Sequence, residues 1–166
     1  VKNIKNNSWI NIYKIFAKNS DIIWPRGLPL DEVDSAKIKV SNKRETNKFS
    51  LQQGVADINP DVDAIYRILN KKINIKFKNL KISLNNSLST FNSQNTTWFR
   101  DIFPLMYLPV TCPMRCTDIW RSLVVLKIMK LNKLKILFFG TDIYQKRNSH
   151  NLLDDIEQEL KLYLYD

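Results

Sequence analysis

The chain has 166 residues, 44% of them hydrophobic and 11% aromatic, which is enough for one domain around a single core and too apolar for a disordered chain. Its net charge of +10 would suit a polyanion, but Lys, Asn and Ile are all abundant and all have AT-rich codons, so genome composition is the better account of the charge. Three glycines with no G-x-G-x-x-G or P-loop among them exclude a glycine-rich phosphate loop, so any bound phosphate is met by side chains or a metal.

Residues 1–20 carry a weak helical pattern around Trp9, Ile12, Ile15 and Phe16. "DIIWPRGLPL" (21–30) reads as a short buried strand broken by Pro25 and Gly27. The polar segment 31–50 reads as an exposed edge strand or loop. After Pro60, Val62, Ile65, Ile68 and Leu69 recur at three and four, predicting a helix of about ten residues with Asn59 as N-cap and Pro60 in its first turn. "INIKFKNLKISL" (73–84) alternates apolar with Lys or Asn and predicts a half-buried strand.

From residue 105, "LMYLPVTC" is a continuous apolar run between prolines, most simply a buried strand. Thr117 then caps a helix from Asp118 to about Asn132, apolar nearly all round and so packed on both sides. "KLKILFFG" (133–140) follows as a short central strand, "TDIYQKR" as a loop, and a last helix runs from about Asn151 to Tyr163 with Leu153, Ile156, Leu160 and Tyr163 on one face. Strands alternate with helices, so the fold class is α/β, with a mixed sheet and packed helices in a single domain spanning residues 1–166.

Cys112 and Cys116 lack the second Cys or His pair of a tetrahedral zinc site and read as small apolar fillers. The most apolar run, "SLVVLKIMKLNKLKILFF", carries four lysines and so is no transmembrane segment. The first residues contain neither an initiator Met nor a signal-peptide pattern, and the chain reads as a possible fragment.

Three groups of residues carry candidate chemistry. The first is the D-x-D of Asp61 and Asp63; with "GVADINP" before it and no apolar run, it reads as the acidic first turn of the 60–70 helix, where the macrodipole favours each carboxylate by roughly 0.3 to 1 kcal/mol. In "VTCPMRCTDIWRS", Asp118 stands at a strand-to-helix junction, the rim where open α/β sheets bind ligands, and is placed as a general base. Arg115 and Arg121 beside it either grip phosphate oxygens in bidentate fashion or neutralise Asp118 in a structural ion pair. The only histidine, His150, precedes the last helix next to Arg147 and Asn148, where its ring can ligate a metal or bind phosphate, or be an ordinary surface histidine.

Five pieces in order, "WPRGLPL" (24–30), "QQGVADINPDVDAIYR" (52–67), "FNSQNT" (91–96), "LMYLPVTCPMRCTDIWRS" (105–122) and "QKRNSHNLLDDIEQEL" (145–160), resemble the STELLO family of glycosyltransferases, known from the plant Golgi. They cover about half the chain. "QQGVADINPDVDA" and "TDIW" also look distantly like the reversibly glycosylated polypeptides, in which an Asp-rich junction before a Trp-containing helix faces the sugar. The resemblance implies the C-terminal part of a GT-A-like catalytic domain that takes a sugar from a nucleotide-diphosphate sugar to a glycan or protein acceptor. It also implies a divalent metal, Mn or Mg, on the leaving diphosphate.

On that resemblance Asp118 is the catalytic carboxylate, Asp61, Asp63, Arg115, Trp120 and Arg121 bind substrate, and His150 is the metal ligand. The acidic metal motif of such families is not matched here and is expected upstream of Val1; Asp61-Val62-Asp63 matches a different, substrate-side segment. A noncatalytic module that keeps the fold is the second reading. A nucleic-acid partner fits worst, because the lysines are scattered.

Overall fold

The computed structural model describes residues 2–4, 9–18, 22–34, 40–41, 48–70, 73–84 and 87–164. Six strands, β1 (Lys2–Ile4), β2 (Val40–Ser41), β3 (Leu51–Ile58), β4 (Lys81–Leu84), β5 (Thr96–Trp98) and β6 (Ile136–Gln145), form one sheet in the order β2-β1-β4-β6-β3-β5. Among the described residues four α-helices accompany it: α1 (Ile12–Phe16), α2 (Ala64–Leu69), α3 (Met114–Leu131) and α4 (Leu152–Tyr163). β3 and β6 are parallel neighbours, as are β1 and β4, while β4 with β6, β1 with β2 and β3 with β5 are antiparallel. The sheet is therefore mixed, as expected of this α/β pattern.

Leu51, Val55, Ile82, Ile136 and Phe138 from the strands bury against Ile12, Phe16, Phe77, Phe91, Val125 and Met129. Each such side chain contributes roughly 1.5 to 3 kcal/mol by leaving water. β6 outruns the predicted strand because it continues past Gly140, whose N–H donates to the Leu80 carbonyl at 2.7 Å. A Cβ at that position would lie 2.5 Å from the Lys78 carbonyl oxygen, so only glycine lets the two backbones approach.

Several elements depart from expectation for identifiable reasons. Ile23, Trp24 and Leu28 are buried without forming a strand. Pro25 withholds a ladder donor and Gly27, at φ +79°, turns the chain. Residues 105–112 are not a buried strand either. A 3-10 helix runs from Arg100 to Met106, and beyond it Tyr107 is 70% and Val110 84% exposed. Pro104, Pro109 and Pro113 deny this stretch the N–H groups that a buried strand must pair.

α3 begins at Met114, four residues earlier than predicted, and Thr117 does not cap it; its hydroxyl donates back to the Pro113 carbonyl at 3.0 Å. The helix buries Cys116, Ile119, Val125, Leu126 and Met129 on one side and leaves Val124 and Leu131 exposed, so it packs on one face and not two. Only β2 and short flanking stretches of segment 31–50 lie among the described residues. In 73–84 the predicted strand is realised as β4 preceded by single bridges at Ile75 and Phe77.

α2 begins at Ala64 rather than after Asn59, because Asp63 is its N-cap and accepts from the Tyr66 N–H at 2.7 Å. The stretch before it, which lacks an apolar run, is not predicted as a strand. It is β3, buried along most of its length. The D-x-D therefore does follow a buried strand.

α4 keeps only part of its predicted face, since Ile156 and Tyr163 are half-buried but Leu160 is 48% exposed. Leu153 is 72% exposed, whereas Asp155 and Glu159 are buried. A buried carboxylate is costly unless hydrogen-bonded or paired, and Arg115 and Arg147 meet these two.

Candidate functional site

The parallel pair β3 and β6 points the carboxyl ends of both strands the same way, and the chain leaving β3 carries Asp61 while the chain leaving β6 carries Arg147 and His150. This is the edge at which open α/β sheets usually hold ligands. At the end of β3, Ile58 adopts φ 73°, a strained conformation for a β-branched residue. Its N–H and carbonyl hold it there by bonding Ile75 at 2.9 and 3.2 Å.

At the centre stands Arg26, 7% exposed, whose importance the sequence reading missed. Its Nε and Nη2 donate to the two oxygens of Asp61 at 3.1 and 2.9 Å, the planar fork that a guanidinium presents to a carboxylate. Nη2 also donates to both oxygens of Asp118 at 3.1 and 3.2 Å, and Nη1 to the Arg115 carbonyl in the first turn of α3. The backbone fixes the same contact, since the Arg26 N–H donates to the Asp61 carbonyl at 3.1 Å and the Thr90 hydroxyl to the Arg26 carbonyl at 2.9 Å. Gly27 next to it cannot carry a side chain, because a Cβ would lie 2.3 Å from Ile119 Cγ2.

Charge follows from this geometry. Burial by itself pushes the Asp61 carboxyl up, but the Arg26 charge and its hydrogen bonds outweigh burial and hold it below the ordinary carboxylate value. Burial likewise acts to lower the Arg26 pKa, and Asp61 and Asp118 together drive it well above the usual arginine range.

Asp118 lies in the second turn of α3 and not at a strand-to-helix junction, yet it reaches the cluster and keeps its side chain 15% exposed. Neither neighbouring arginine neutralises it. Arg115 turns to α4, where its Nε donates to Glu159 at 2.6 Å and lies 3.4 Å from Asp155. Arg121 donates to the Met106 carbonyl at 3.2 Å and lies over the Trp98 ring, 4.9 Å from its centroid. Ser93 stands between, its N–H donating to Asp118 at 3.1 Å and its hydroxyl accepting from Arg121 at 2.7 Å.

Asp63 is fully buried and lines no cleft, its second oxygen accepting from the Trp24 indole at 2.5 Å. Burial pushes its carboxyl up to about 6, aided by Glu159 and Asp61 and opposed by the Tyr66 and Trp24 hydrogen bonds. Trp120 lines an open groove of about 590 Å³ shared with Trp9, Gly27, Pro29 and Lys161.

His150, 42% exposed, places Nδ1 3.5 Å from Asp155, which also takes Arg147 at 2.6 Å. It joins the Arg26 cluster only indirectly, through Asp155 and Arg115. Glu159 anchors this side from within, accepting from the Ala64 N–H at 2.8 Å and the Tyr163 hydroxyl at 2.9 Å.

These donors do not fit a divalent cation. Asp61 and Asp118 are filled by one guanidinium, Asp63 by an indole and an amide, and Asp155 by two arginines. Among the described residues no three His, Cys, Asp or Glu side chains group as a metal site. Among the same residues no helix is long and apolar enough to cross a membrane.

Residues 115–165 match the family model of STELLO glycosyltransferases. Over 128 residues the chain is 30% identical to an Arabidopsis thaliana protein named "Probable glycosyltransferase STELLO2" and 29% identical to "Probable glycosyltransferase STELLO1". Each alignment takes 70% of this chain but only 16% of the relative, so the chain spans a small part of either protein. The matched span holds Arg115, Asp118, Trp120, Arg121, His150 and the acidic face of α4.

Proposed function

Because the chain is STELLO-like, with the family match falling on α3, β6 and α4, we propose that it forms the C-terminal part of a catalytic domain that transfers a sugar from a nucleotide-diphosphate sugar to a glycan or protein acceptor. The observation that carries this reading is the joining of Asp61 and Asp118 on Arg26 beyond the carboxyl end of β3. A carboxylate fixed on two sides by Arg26 and Ser93, yet partly open to solvent, is suited to accept a hydrogen bond from a sugar hydroxyl and hold it for reaction. Orientation of the acceptor is the role this supports for Asp118, because Arg26 already holds both of its oxygens and the Ser93 N–H one of them.

Trp120 and the groove beside it offer an apolar face of the kind sugar rings stack on, though Trp120 stands two positions after Asp118 on α3 and so on another side of the helix. Arg121 sets Ser93 rather than meeting phosphate itself. Mn or Mg, where the longer enzyme uses one, would take its ligands from residues other than Asp61, Asp63 and Asp118.

One observation favours a second reading, a noncatalytic module that keeps the fold: every candidate carboxylate already has an internal partner. An assay of the longer protein against a panel of nucleotide sugars, reading release of nucleoside diphosphate, separates the two. Release from one donor supports transfer; no release from any, with the protein folded, leaves the module.

A further inference from the structure

Beyond the ends of β3 and β6 lies a second polar cavity, of about 270 Å³, lined by Asn59, Arg67, Asn70, Arg147, Asn148 and His150. We propose that it is a binding site for a phosphate-type oxyanion, with the Arg67 guanidinium as its principal donor and Arg147, His150 and the asparagine amides around the anion.

Arg67 is 92% buried, being 8% exposed, and was not among the residues singled out from the sequence. Its Nη2 donates to the Pro60 carbonyl at 2.9 Å, its Nε is buried with no hydrogen-bond partner, and among the described residues no carboxylate pairs with it. A buried charged donor left unpaired is costly, and proteins keep such groups where a ligand completes them.

The carboxylates nearby are already taken. Asp155 holds Arg147 and Arg115, and Asp61 holds Arg26. Burial first, and then the like charges of Arg147 and Arg115, press the Arg67 pKa down to about 10 against the pull of Asp61 and Asp155. An anion in the cavity relieves that repulsion, whereas a metal cation would add to it. Guanidinium is planar and meets phosphate oxygens in pairs, and the amides of Asn59 and Asn148 supply uncharged donors around it, while the Asn70 amide already donates to the Tyr66 carbonyl at 2.9 Å. The rim histidine, first read as a metal ligand, is thus placed beside an anion.

The site stands on the cavity's own charges and is independent of the transfer reading. Two sources offer the same chemistry, free phosphate and the diphosphate of a nucleotide. Calorimetric titration of the full chain with inorganic phosphate, pyrophosphate and uridine diphosphate, at matched ionic strength, tests it. Saturable binding is expected, weakened by about tenfold or more in Arg67→Gln, the loss of one charge-assisted pair. Should Arg67→Gln not fold, Asn148→Asp, which puts a carboxylate at the cavity, must weaken binding by about as much. Uridine diphosphate binding far more tightly than phosphate or pyrophosphate assigns the site to a nucleotide, and comparable binding of all three assigns it to the anion alone. No saturable binding of any probe at millimolar concentration, or binding unchanged in the folded variants, overturns the proposal.

Discussion

Arg26 and Asp118 stand 92 positions apart in the chain, yet one nitrogen of the guanidinium donates to both oxygens of the carboxylate, at 3.1 and 3.2 Å. The same nitrogen holds Asp61 at 2.9 Å, so a single buried cation ties the chain after β3 to α3. Replacing Arg26 by Met leaves two largely buried carboxylates without their cation and should cost about 3 to 5 kcal/mol at pH 7. The cost should shrink in acid. Asp61, held low by Arg26 against the opposing effect of burial, contributes stability that is present above the ordinary carboxylate pKa and lost as pH falls through its lower folded value. Urea unfolding of both proteins at pH 7 and pH 3.5 checks the magnitude and the convergence; an equal gap at both would show that the pairing with Asp61 is not what stabilises the fold.

Asp63 predicts the opposite trend in a different window. Burial raises its folded value to about 6, above the ordinary 3.8, so between these values the folded chain binds a proton that the unfolded chain does not. Stability from this group is complete below the unfolded value and lost as pH rises through 6. Unfolding free energy should therefore increase from pH 7 to pH 5, by about 1 kcal/mol or more, and Asp63→Asn should flatten that increase. A wild-type protein equally stable at pH 7 and pH 5 would contradict the buried, ionisable state assigned to Asp63.

Glu159 is the staple between α4 and α2. Fully buried, it meets the Arg115 guanidinium, the Ala64 N–H and the Tyr163 hydroxyl at once. Glu159→Gln removes the charge but little volume, leaving Arg115 with Asp155 alone, and should lower stability by about 3 kcal/mol. Calorimetric melting reads this directly. A shift no larger than that of an exposed α4 residue such as Glu157→Gln would remove Glu159 from the framework.

Much of this fold was legible because periodicity reports burial. α4, α3 and β6 were placed to within a few residues, and the mixed sheet followed from irregular strands alternating with helices. Most of the failures share one cause: polar groups buried in pairs, which hydropathy scores as surface. Asp155 and Glu159 stand at i and i+4 on α4, a spacing that puts both on one face, but Leu153 and Leu160, just outside them in the chain, drew the apolar stripe to the exposed side. No strand is read over β3, since "GVADINP" offers no apolar run, although Gln53 is buried and bonded to Asn92 and Asn95. Arg26 lay inside the quoted "WPRGLPL" without a role, since its partners come from residues 61 and 118 and no local pattern links them. Prolines gave the converse error, an apolar run that cannot pair as a strand and stays exposed.

Asp118 carries the central claim, and its conservative replacement tests it most directly. The proposed sugar transfer is measured at steady state and saturating donor for Asp118→Asn and wild type, with thermal melting of both proteins as the control for folding. The account predicts turnover lower by about a hundredfold or more, the range for a positioned carboxylate acting at the reacting sugar, in a protein that still melts cooperatively. Turnover within about twofold of wild type in the folded variant would contradict it, and would leave Asp118 as a structural partner of Arg26 alone.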